Sequence, residues 1–94
     1  MATHELKSWP GQFQAMWTGL KRAEFRHDDR SYQVGDLLEL REWDPTRREY
    51  TGFHLTARMT HLVRGPELGE PARFVVLSIE VLGARVVESG TRSG

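Results

Sequence analysis

A chain of 94 residues with 38% apolar and 28% charged side chains suits one folded domain around a single modest core, and excludes both a disordered chain and a two-core protein. Lys and Arg number 13 and so do Asp and Glu, so the formal net charge is zero; this excludes a general nucleic-acid coat protein, which works by counterion release, and leaves room only for a small contact footprint or a single-nucleotide pocket. The absence of cysteine removes disulfides and thiolate zinc sites and fits a reducing cytoplasm.

No early apolar run reads as a signal peptide, and no segment is long enough to span a membrane. Thr3 to Ser8 reads as a first strand, broken at Trp9-Pro10-Gly11. Pro10 suits the first position of a helix, where its missing N–H costs nothing. Phe13, Met16, Trp17 and Leu20 recur at three- and four-residue spacing, which predicts an amphipathic helix of about two to three turns that plugs one end of a sheet or barrel. Gly19 can supply a left-handed cap at its end.

Gly19 to Arg26 is the stretch around which the chain is organised. Ala23 and Phe25 alternate with Arg22, Glu24 and Arg26, the pattern of a half-buried strand. Such a strand carries Lys21, Glu24 and Arg26 toward one place. The cluster reads either as a surface salt-bridge ladder or as a polar constellation at a barrel mouth.

His27-Asp28-Asp29-Arg30-Ser31 is a polar loop of turn and capping chemistry, with Asp29 available to position a ligand. Val34-Gly35-Asp36 turns the chain into Leu37 to Trp43, where Leu38 and Leu40 share the core parity and Trp43 falls outside or at a rim. Asp44-Pro45 opens a turn. Phe53 to Leu62 alternates as a long strand that forms a hairpin with Leu37 to Trp43. A Gly/Pro-rich loop covers Val63 to Pro71. Phe74 to Leu82 is nearly continuous in apolar residues, as in a strand central to the sheet or buried on both faces. The signal fades at Gly83, so the domain is expected over 1–83 with a mobile tail over 84–94. The fold class is mainly β (α+β): a small, partly closed β-barrel of five to six strands with one helix after the first strand covering one end.

His4-Glu5-Leu6-Lys7, the helix, Gly19-x-Lys21-x-x-Glu24-x-Arg26, Asp29-Arg30, Val34-Gly35-Asp36, Glu42-Trp43-Asp44 and Tyr50-Thr51-Gly52 stand in an order that resembles the ASCH (activating-signal-cointegrator homology) domain over residues 4 to 82. The resemblance is to a compact bacterial and phage branch. It implies a PUA-like barrel, a fold used to bind RNA and modified bases, with a cleft beside the helix lined by the Lys, Glu and Arg of the glycine-led element.

Binding of RNA or a modified nucleotide would use Lys21, Glu24 and Arg26, supported by His4, Lys7, Asp29 and Trp43. Trp9, Trp43 and Tyr32 are candidate stacking platforms, each equally readable as a core or rim aromatic. Carboxylates such as Glu24 and Asp29 can accept from exocyclic amines. If the protein is an enzyme, Lys21 and Glu24 are the catalytic candidates. Some small ASCH proteins are amidohydrolases that release an acyl group from N4 of cytidine with a Thr–Lys–Glu arrangement. Lys21 matches that lysine, Glu24 stands where the threonine would be, and Glu67 or Glu70 would have to replace the third member. A ribonuclease reading would use Lys21, Arg26 and His4. No cofactor is implied, and the four histidines lack metal-ligand spacing. A protein-interaction module is the remaining alternative.

Overall fold

Alternation of apolar and polar residues builds five strands, and the one stretch with helical spacing builds the one helix of the described residues, 1–69 and 73–87 of this computed structural model. In chain order they are β1 (Thr3–Ser8), α1 (Pro10–Trp17), β2 (Ala23–His27), β3 (Leu37–Asp44), β4 (Glu49–Arg64) and β5 (Phe74–Val86), with a 3-10 turn at Gly65–Leu68. The strands form one sheet in the order β1-β3-β4-β5-β2, in which only β1 and β3 run parallel.

A flat sheet of this order would hold its edge strands β1 and β2 about 19 Å apart, at the usual inter-strand spacing. Yet Arg26 Nη2 of β2 donates to the Lys7 carbonyl of β1 at 2.9 Å. The sheet is therefore curled into a half-barrel whose seam is bridged by a side chain rather than a backbone ladder. The expected partly closed barrel forms, with five strands, the lower of the five to six expected.

Leu6, Leu38, Leu40, Leu55, Met59 and Leu77 lead the core, all on the inner face. The helix adds Phe13 and Met16, each contributing about 1.5–3 kcal/mol by burial. It covers one end as expected, but it stops at Trp17, so Trp17 and Leu20 of the apolar row are exposed. Gly19, at φ +84°, ends it with its N–H on the Met16 carbonyl. Strand β5 is interior but buries only Val75, Leu77 and Ile79, one face rather than two. It also passes Gly83 and runs to Val86 beside Phe53 to Leu55, so the domain does not stop at residue 83. The tail from residue 88 onward lies outside the described residues.

At the end of the barrel marked by Asp36, that buried carboxylate accepts from Ala2 N–H at 3.0 Å, His4 Nε2 at 2.8 Å and Gln33 N–H at 3.0 Å. These tie the start of β1 to the turn that launches β3. The Ala2 backbone N–H is the main cause holding the Asp36 carboxyl below its usual range, with burial opposing and His4 and Gln33 assisting. Because the folded-state value is the lower one, the stabilisation is present above the unfolded-state value near about 4 and is lost as pH falls through the folded-state value. Asp36→Asn is expected to cost about 1–2 kcal/mol at pH 7. The cost should shrink on acidification through that window, read as the difference in urea midpoint between the two proteins. A difference unchanged by acid would sink this account.

Candidate functional site

The alternation in β2 is real, but its polar parity is the inward one. Glu24 and Arg26 lie opposite Leu77 and Val75, on the core face, while Phe25 lies opposite Val76 on the outer face. Glu24 is only 4% exposed. A buried carboxylate needs partners, and it has them: Lys21 Nζ lies 2.7 Å from Oε1 and Arg26 Nε donates to Oε2 at 2.7 Å. The sequence's two readings thus resolve toward a buried constellation rather than a surface ladder.

Lys21 aims its aligned hydrogen bond elsewhere, to Gln12 Oε1 at 2.6 Å. Oε1 of Glu24 consequently keeps an ion-pair neighbour but no aligned donor among the described residues. Ser8 Oγ, buried nearby on β1, also has no partner among them. Helix α1 supplies Gln12, the chain after Gly19 supplies Lys21, and the curl of the sheet brings Lys7 and Ser8 of β1 to the same place.

These groups line a cleft of about 760 Å³ along the β1–β2 seam. Its rim is aromatic. Trp9, at the N-cap of α1, is 58% exposed, and Phe25 is 64% exposed. Phe25 stacks on Phe74 with centroids 5.1 Å apart, and His27 leans on the same Phe74 ring at 5.4 Å.

Five of the sequence-predicted site residues meet here: Lys7, Trp9, Lys21, Glu24 and Arg26. Three do not line the cleft. His4 is in the Asp36 cluster described above, against the Tyr32 ring at 4.8 Å. Asp29 is exposed in the loop after β2, 3.9 Å from Arg30. Trp43 is on the outer face of β3, where Lys7 Nζ sits 4.1 Å from its ring centroid. Tyr32 is 1% exposed and packs in the core, so it offers no stacking face, and burial raises its hydroxyl pKa above the ordinary value. Glu67 accepts the Arg64 N–H at 2.9 Å as a cap of the 3-10 turn and does not line the cleft. Glu70 lies outside the described residues.

Ser8, Gln12, Phe25, His27 and Phe74 line the cleft without having been singled out by sequence. Phe25 and Phe74 read as core residues in any alternation argument. Nothing in the sequence marks β2 as an edge strand whose outer face is open. Among the described residues, no group of three or more His, Asp or Glu is placed to hold a metal ion.

Residues 3–79 match the domain of unknown function DUF3850. The chain belongs to the DUF3850 family. The match runs from the first residue of β1 to the middle of β5, so it takes in every strand of the half-barrel and every residue of the cleft. This DUF3850 domain is also similar to an uncharacterized 12.9 kDa protein in the GpA 3′ region of Escherichia phage P2. The two are 38% identical over 80 residues, covering 85% of this chain and 69% of the phage protein.

Proposed function

We propose that this DUF3850 domain is a PUA-like, ASCH-related module that binds RNA, or a modified nucleotide or base, through the β1–β2 cleft. The observation that carries the reading is the desolvated Glu24 carboxylate, paired with Lys21 and Arg26 on the floor of a cleft whose rim is made of exposed aromatic rings. A phosphate that drew Lys21 away from Glu24 would free that oxygen to accept from an exocyclic amine, while Trp9 and the Phe25–Phe74 pair offer faces for a base. A mixed-sign pocket of this kind suits one nucleotide better than a phosphate backbone, in keeping with the zero net charge.

Turnover is the second reading, favoured by one observation. Ser8 places a buried, unpartnered hydroxyl in the cleft that also holds Lys21. An amidohydrolase acting on N4-acylated cytidine would need such a hydroxyl. Lys21 Nζ, however, is engaged by Glu24 and Gln12, and base chemistry there requires breaking both contacts. A ribonuclease would draw on His4, but that ring is held by Asp36 away from the cleft.

The test is a nucleoside and nucleotide screen, modified cytidines and adenosines included, read by thermal shift and by chromatography of products. Trp9→Ala removes an exposed ring and should leave the fold intact. It is expected to weaken the best ligand about tenfold, the loss of one stacking contact. Affinity unchanged in Trp9→Ala, or no stabilisation by any member of the set, would overturn the cleft reading. Product formation lost in Ser8→Ala would make the protein an enzyme.

A further inference from the structure

The outer face of the half-barrel carries a second arrangement that joins the cleft through Lys7. Lys7 is exposed on β1, lines the cleft, and lies beside Arg41 in the parallel β1–β3 pairing. Its Nζ caps the Trp43 ring at 4.1 Å. Trp43 pairs across the hairpin with Tyr50, ring edge to ring face, at 4.9 Å and 77°. The Arg41 guanidinium covers the Tyr50 ring at 4.1 Å, and Tyr50 is 37% exposed. None of these four side chains belongs to the core cluster. The result is a strip of two adjoining aromatic rings with a cation at each end, Arg41 also lying 3.7 Å from the Glu5 carboxylate, that starts at the cleft and crosses the sheet face. Rings beside cations are what single-stranded nucleic acid binds: rings for unstacked bases and cations for the neighbouring phosphates.

We infer that the ligand is a single-stranded RNA longer than one nucleotide, with one nucleotide in the cleft and its neighbours on the Lys7–Trp43–Tyr50–Arg41 strip. This rests on the cleft reading above and extends it. Continuity argues for one ligand, because Lys7 serves both surfaces. RNA is favoured over DNA because the cleft lining includes the exposed Gln12 amide, a partner that a ribose 2′-hydroxyl can use and a deoxyribose cannot. A duplex is disfavoured because its stacked bases offer no free faces, and its phosphate contacts call for more positive charge than this chain has.

The experiment compares a labelled single-stranded hexaribonucleotide with the corresponding mononucleotide, by anisotropy and competition, on the parent, Trp9→Ala, Trp43→Ala and Tyr50→Ala proteins. The hexanucleotide is expected to bind at least about tenfold tighter than the mononucleotide. Tyr50→Ala should erase most of that gain and leave the mononucleotide affinity unchanged; Trp43→Ala, which also releases Lys7, should erase it too. Trp9→Ala should weaken both ligands. Circular dichroism checks that each variant folds, and Tyr50→Ala, the more exposed position, carries the test if Trp43→Ala does not. Equal affinity for the two ligands overturns the extension and leaves the cleft reading standing. Failure of both ligands to bind overturns both. A deoxyribose hexamer binding as tightly overturns the choice of RNA, and displacement of the hexanucleotide by an oligoglutamate peptide at equal concentration overturns the nucleic-acid reading of the strip.

Discussion

Glu24→Ala is expected to lower the unfolding free energy by about 2–3 kcal/mol and to abolish cleft binding together with it. The carboxylate is the one negative charge between Lys21 and Arg26, and its loss leaves two cations facing each other. Removing one partner of a fully buried pair costs about 3–5 kcal/mol. Here the Lys21 and Arg26 side chains are each 24% exposed, so water screens part of the loss and the lower range applies. Arg26 also loses the partner that orients it toward the Lys7 carbonyl, so the seam between β1 and β2 should loosen. Glu24→Gln keeps the shape and one acceptor, and should cost roughly half as much by this account of neutral against charged hydrogen bonds. Urea titration followed by circular dichroism reads both variants. If Glu24→Ala unfolds within about 0.5 kcal/mol of the parent, the pairing of Glu24 with Lys21 and Arg26 does not contribute to stability and this account fails.

Gly52→Ala should be comparably damaging, by about 2–3 kcal/mol, for a reason located in the backbone. Gly52 has φ +95°, and its carbonyl accepts the Val87 N–H at 2.6 Å. A Cβ there would stand 2.8 Å from the Val87 carbonyl oxygen, a backbone atom that cannot swing aside. The same residue lies where the β3–β4 register shifts, between the Arg41–His54 and Trp43–Tyr50 pairs. That bulge sets Tyr50 opposite Trp43, so the variant should also disturb the aromatic strip. Gly11→Ala is the control. It sits in α1 with nothing within 4 Å of a new Cβ, and should be neutral or stabilising by up to about 1 kcal/mol. Equal stability of the two variants would refute the steric argument.

The Glu39 cluster on the outer face shows how local chemistry and tertiary placement divide. Burial raises the Glu39 pKa, but hydrogen bonds from His54, Thr56 and Arg85 outweigh it and the net direction is down. Those three residues come from β4 and β5, and Arg85 lies in a stretch where the sequence signal had already faded. Its role follows from β5 continuing past Gly83 beside β4.

Elements were legible because each is specified by nearby residues. The proline at the start of α1, the glycine after it, and the two-residue alternation of Leu38 with Leu40 act over one or two turns or strands. The glycine-led element could likewise be singled out, since Lys21, Glu24 and Arg26 are close along the chain and any strand gathers them. Which face of β2 is buried could not be read this way. Alternation gives the period but not the sign, and the sign here is set by the curl of the sheet, which folds the charged parity inward and turns Phe25 out. The same curl brings Lys7 and Ser8 of β1 against β2, and draws Gln12 into the site. It leaves His4 and Asp29 away from it and puts Trp43 on a second surface. Contacts of this kind join residues far apart in sequence, and no local pattern encodes them. The chain's own order determined the strands, the helix and the charged triad; closure of the sheet decided where the cleft is, what lines it and what lies beside it.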